Sequence, residues 1–206
     1  METASGQICE FWRWFSDHQP EFNYLSKPDE PFWDVAVEQL KKVDKRLWFE
    51  LSGVSNVPRE FVVTAEGKTD AFPMVEELIR LAPPIERWAF VALKPAMGFA
   101  FTTRYEGALF EPLDMWFLPL ESASKPQDFG MRVGIKGLES MDEQVALNAI
   151  LVILDTGLGE RSAAIDIQYI QVAELPPAPE SLGYIELPEL ADYIAWRKRR
   201  QSTSSR

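Results

Sequence analysis

Carboxylates are the one potentially catalytic residue type that the chain has in quantity. It holds 32 Asp and Glu among 206 residues, against one His and one Cys. Asp155, Glu160 and Asp166 cluster where an apolar helical stretch ends and the next segment begins, with Arg161 the single base among them. Such a group could bind a divalent cation through oxygen or do acid–base work. Its spacing matches no calcium-loop signature, so a solvated acidic loop with one compensating arginine is the competing reading. Asp155, Glu160 and Arg161 are the candidate small-ligand residues, in a site expected between two halves of the molecule.

His18 lies three residues beyond Phe15, at the end of the first helical stretch. Its titration range suits general acid–base catalysis, but a helix-end histidine packed on the core explains it as well. A Ser-His-Asp triad would have to use it, and no G-x-S-x-G elbow supplies the serine. Cys9 stands between Ile8 and Glu10, and the neighbouring carboxylate opposes thiolate formation. One His and one Cys cannot furnish the three or four ligands of a usual zinc site, and one Cys excludes an internal disulfide. Gly130, Gly134 and Gly137 follow G-x-x-x-G-x-x-G within and after a strand, which is not the strand-to-helix phosphate fingerprint. Gly130 and Gly134 fall on the polar side of that strand, where another backbone or a ligand could come close. No catalytic residue, metal or cofactor is assigned.

Seven tryptophans are many for this length. Trp12, Trp33, Trp48, Trp88 and Trp116 fall on or near expected core elements. Trp14 points away from the Ile8, Phe11, Trp12 and Phe15 stripe. With Trp48, which stands opposite Leu47 and Phe49, it is the candidate partner-binding patch, since Trp is enriched where proteins meet. The competing reading is that a helix buried between two layers hides both of its faces.

The elements that position these residues follow from periodicity. A first helix runs from Ser5 to Pro20, and a second opens at Asp29, Glu30 and Pro31. The second buries Phe32, Trp33, Ala36, Leu40 and Val43 and carries Lys41, Lys42, Lys45 and Arg46 at its end, where cations suit the dipole. Alternation then marks strands at Leu47–Leu51 and Phe61–Ala65. A helix capped by Asp70 follows, and Trp88–Leu93 reads as an interior strand. Residues 99–110 hold a short strand or hairpin. Leu113–Leu120 and Phe129–Ile135 are strands. A capping box at Ser140 and Glu143 opens an apolar helix that Gly157 and Gly159 end. Ile165–Val172 is a strand, and Pro188 starts a last helix. The expected fold is α+β: two similar strand-strand-helix-strand units forming mixed, mainly antiparallel sheet with helices on one side, plus N-terminal helices and a C-terminal helix. Residues 1–97 would form one lobe and 98–206 the other, or both a joint domain.

Net charge is −11, unevenly placed. Residues 101–195 hold 5 bases and 16 acids, while 196–206 hold Arg197, Lys198, Arg199, Arg200 and Arg206 with no acid. An acidic body repels phosphate backbones, which argues against nucleic acid, and it favours a basic protein partner. The basic run reads as a solvated helix end. The first 15 residues lack the basic and apolar regions of a signal peptide, and no apolar stretch could span a bilayer, so the expected location is the cytoplasm.

FWRWF at 11–15, REFVVTAEGK at 59–68 and LDTGLGE at 154–160 resemble segments of an uncharacterised bacterial protein family. The resemblance implies no catalytic residues. The leading expectation is a non-enzymatic cytoplasmic interaction or regulatory protein with an acidic surface. The alternative is a small-ligand-binding protein or a carboxylate-based enzyme.

Overall fold

The structure is a computed structural model and describes residues 4–204, so Arg206 of the basic run lies outside the described residues. The chain forms an α+β fold that divides into two compact units, Met1–Lys94 and Pro95–Arg206. Each has its own mixed sheet flanked by helices.

The first unit opens with α1 (Ala4–Asp17), α2 (Gln19–Tyr24) and α3 (Pro31–Val43). Pro20 does not end α1. It sits in the first turn of α2, where a missing N–H costs nothing. The Ile8, Phe11, Trp12 and Phe15 stripe is buried as its spacing predicts. β1 (Trp48–Leu51), β2 (Arg59–Thr64), α4 (Phe72–Arg80) and β3 (Trp88–Ala92) follow. β1 pairs antiparallel with β2, and β2 pairs parallel with β3. The central strand is therefore β2. β3, expected inside the sheet, is an edge strand. Asp70 does not cap α4: it lies in the preceding 3-10 turn and pairs with Arg46. Aromatic rings fill the core, with Phe15 4.3 Å from Phe22, Phe49 5.0 Å from Phe61 and Trp12 4.5 Å from Phe90. The Trp12 indole N–H donates to Leu78 O at 2.8 Å, so a buried polar group is satisfied and α1 is tied to α4.

The second unit begins with a hairpin of β4 (Thr103–Tyr105) and β5 (Ala108–Phe110). Its two loop residues, Glu106 and Gly107, both take positive φ, as the tightest hairpin turns require. Then come β6 (Trp116–Leu120), β7 (Gly130–Ile135), α5 (Glu143–Leu158), α6 (Glu160–Asp166), β8 (Tyr169–Glu174), β9 (Ile185–Glu186) and α7 (Leu190–Ser204). The sheet order is β8-β7-β6-β9, with only β7 and β8 parallel. β6-β7-α5-β8 thus repeats the pairing of β1-β2-α4-β3: one antiparallel hairpin, then a helical crossover to a parallel neighbour.

Local readings change here too: the strand expected from Leu113 starts at Trp116, because Pro112–Asp114 form a 3-10 turn. The cap of α5 is Asp142, whose carboxylate accepts from the N–H groups of Gln144 and Val145 at 2.9 and 3.0 Å. Ser140 instead donates to Gly137 O. Gly157 lies inside α5, and only Gly159 ends it. The expected strand at Ile165 starts later, because residues up to Asp166 belong to α6. The basic run as far as Arg200 is built into α7 as well. Arg197 donates to Asp128 O at 3.1 Å, and Lys198 pairs with Asp166 at 2.7 Å.

Candidate functional site

The sequence-nominated carboxylates sit on two consecutive helices. Asp155 is half-buried near the end of α5, and Glu160 is fully buried at the start of α6. Arg161 is exposed. Gly159, at φ 78° and ψ 152°, takes a backbone conformation that breaks the helix between them. Asp166 is engaged twice, accepting from the Ser162 hydroxyl and from Lys198, both at 2.7 Å. Among the described residues, no group of three or more His, Cys, Asp or Glu is placed to hold a metal ion.

The glycine run has a packing explanation. A Cβ on Gly134 would lie 2.6 Å from Leu175 Cδ1 and 3.3 Å from Tyr184 Cε1. A Cβ on Gly130 would meet Tyr169 at 3.3 Å. The groups that come close to this face of β7 are side chains of the same unit. His18 lies between α1 and α2. Its Nδ1 donates to Trp14 O at 2.9 Å, and its ring stacks on Trp14 at 4.7 Å. Cys9 is exposed on α1.

Both nominated tryptophans belong to the first unit, and both are half-buried. Trp14 stacks on His18 and on Phe32, whose ring is 5.8 Å away. Trp14 is near the end of α1 and Phe32 near the start of α3, so the two helices run antiparallel. Trp48 lies under Lys41, whose Nζ is 3.7 Å from the ring centroid, a distance at which an ammonium is attracted to the indole face.

Lys41 leads to a groove between α1 and α3, of about 800 Å³. Gln7, Glu10 and Phe11 line it from α1, and Glu38, Gln39, Lys41, Lys42 and Lys45 from α3 and the residues after it. Phe11 is part of the buried stripe; the other lining groups are polar. Lys42 donates to Gln39 Oε1 at 2.8 Å, which holds that ammonium on the α3 wall. Helical spacing makes the groove: Gln7, Glu10 and Phe11 at i, i+3 and i+4 share one face of α1. Glu38, Lys41, Lys42 and Lys45 likewise share one face running off the end of α3. Those lysines suit the helix dipole and also face the edge of α1. Their repeat at three and four residues was the signal for this second role.

Comparison with models of known protein families, with curated proteins and with solved structures returned no match. No helix is long and apolar enough to cross a membrane among the described residues.

Proposed function

We propose that this chain is a non-enzymatic cytoplasmic interaction protein, of the bacterial family its three segments resemble, and that it grips a protein partner in the α1–α3 groove. The observation that carries the reading is the groove lining: three ammonium groups, two carboxylates and two amides spread along two helices. Ligand pockets for small molecules are mostly apolar with a few convergent polar groups. A groove lined by charged groups of both signs on two helices suits a protein segment that brings the complementary signs.

Charge acts at two ranges. A net charge of −11 draws in a basic partner over about one Debye length, ~8–10 Å. At contact, Lys42 and Lys45 ask for carboxylates and Glu10 and Glu38 for cations, which sets register more than affinity.

The test is affinity capture at physiological salt with wild type beside a Lys42→Glu/Lys45→Glu variant. Both lysines are exposed, so the variant should fold. The expected result is a partner recovered by wild type, lost by the variant, with an association rate that falls as salt rises. A partner held equally by both proteins, or none held by either, overturns the reading.

A further inference from the structure

The first unit contains a second cavity, of about 260 Å³, that shares no lining residue with the groove. It is lined by Gln19, Asn23 and Tyr24 of α2, by Val54 and Asn56 of the β1–β2 connection, and by Arg59 and Arg87. In a chain with eleven surplus acids, this lining carries, among the described residues, two guanidinium groups and no carboxylate.

The two arginines are held differently. Arg59 is only 4% exposed. Its Nε donates to Ser52 O at 3.1 Å, and its two terminal nitrogens donate to Phe22 O and Leu25 O at the C-terminal end of α2. A guanidinium has five N–H donors, so two remain after these three bonds. Burial lowers its pKa and the nearby Glu30 raises it, yet the group stays charged at any physiological pH. Glu30 itself is occupied with the N–H groups of Ser26 and Lys27 and the Ser26 hydroxyl. Arg87 takes φ 69°, an unfavourable conformation for a residue with a side chain. Its carbonyl accepts from Arg59 N at 2.7 Å, so the two arginines are also joined through the backbone. Among the described residues its guanidinium has no ion-pair partner.

We propose that this cavity binds the phosphate group of a small phosphomonoester. Two positive charges match a group that carries about −1.5 to −2 at pH 7. A carboxylate, with one charge and two oxygens, would leave donors unused. Asn23, Asn56, Gln19 and Tyr24, which also line the cavity, carry further hydrogen-bond donors. The volume equals that of roughly eight or nine liquid waters, enough for a phosphate with a short carbon chain. The reading does not depend on the groove or its partner.

The test titrates the full chain with glycerol 1-phosphate, inorganic phosphate and acetate at low ionic strength. Calorimetry gives affinity, and the Arg59 Nε–H resonance reports place. The expected order is glycerol 1-phosphate at or above inorganic phosphate, with acetate at least tenfold weaker. Affinity should fall several-fold between pH 7.5 and pH 5, as the ester loses its second charge near pH 6. The deciding variant is Arg87→Gly. Glycine takes positive φ freely, so thermal stability should hold or rise while phosphate affinity drops about tenfold or more. If phosphate bound anywhere other than this cavity, Arg87→Gly would leave binding unchanged. That outcome, acetate binding as well as phosphate, or resonance shifts centred on Lys42 and Lys45 instead of Arg59, overturns the proposal.

Discussion

Arg59 stands two residues before Phe61, so strand alternation puts its side chain on the same inward face of β2 as Phe61 and Val63. A charge in register with an apolar face was visible in the sequence as REFVVT. What the sequence lacked was the acceptor set, three carbonyls from α2, the α2–α3 loop and the β1–β2 connection. Arg59→Met keeps the bulk and removes the donors. Three inward-facing carbonyls lose a charged partner, and denaturant titration should show a loss of about 3 kcal/mol or more. A loss under ~1 kcal/mol would mean water replaces the guanidinium without cost. Gly157 makes a contrasting case. Helix propensity favours Ala over Gly in a helix interior by ~1 kcal/mol. A Cβ at Gly157 would lie 2.3 Å from Phe99 Cε1, and Phe99 is buried. Overpacking of this kind costs about 1–3 kcal/mol. Gly157→Ala should therefore lower the melting temperature, against its propensity, and a rise would show that the Phe99 ring moves aside freely.

At the scale of elements, periodicity was informative wherever one face meets the core. β7, α1 and the antiparallel-then-parallel pairing of both units were legible in this way. Starts and stops were less so, because several residues can serve one role. Pro20 ends a helix or begins one with equal local logic, and only the tertiary fit of α2 decides. Ser140 and Asp142 both precede α5, and the carboxylate that reaches the N–H groups of Gln144 and Val145 wins. The groove was less legible still, since it depends on how α1 lies against α3. Asp142→Ala should destabilise by about 1 kcal/mol, while Ser140→Ala should cost clearly less. Equal costs would return the cap to Ser140. The turn after β7 gives a pH dependence. Backbone N–H groups of Gly137, Glu139 and Leu138 hold the Glu174 carboxyl below its ordinary 4.5. A folded-state pKa below the unfolded one stabilises above the unfolded pKa and is lost as pH falls through the folded value. The melting temperature of wild type should exceed that of Glu174→Gln at pH 6, and the gap should close well below pH 4.5. A gap that persists there would assign the effect to side-chain shape instead of charge.

At the scale of the molecule, each unit has the parts of an independent folding unit. The first has a three-stranded sheet and an aromatic core, with Phe15, Phe22 and Phe61 fully buried. The second has a four-stranded sheet under α5, where Ala146, Ala149, Ile150 and Ile153 are buried against Phe117, Met131 and Val133. Both exceed the ~70–80 residues below which a single core rarely suffices. Expressed alone, 1–94 and 95–206 should each unfold cooperatively on heating, as followed by circular dichroism. Arg59→Met should lower the transition of 1–94. The start point of the second fragment matters. Met97 N–H donates to Thr156 O at 3.0 Å and Gly98 N–H to Gly157 O at 3.1 Å, so these residues help to satisfy the last carbonyls of α5. A fragment beginning at residue 98 loses the first of these bonds and should melt below one beginning at 95. If 1–94 and 95–206 each stay unfolded alone, the two cores depend on one another. Stability changes in either would then have to be read as properties of the whole chain.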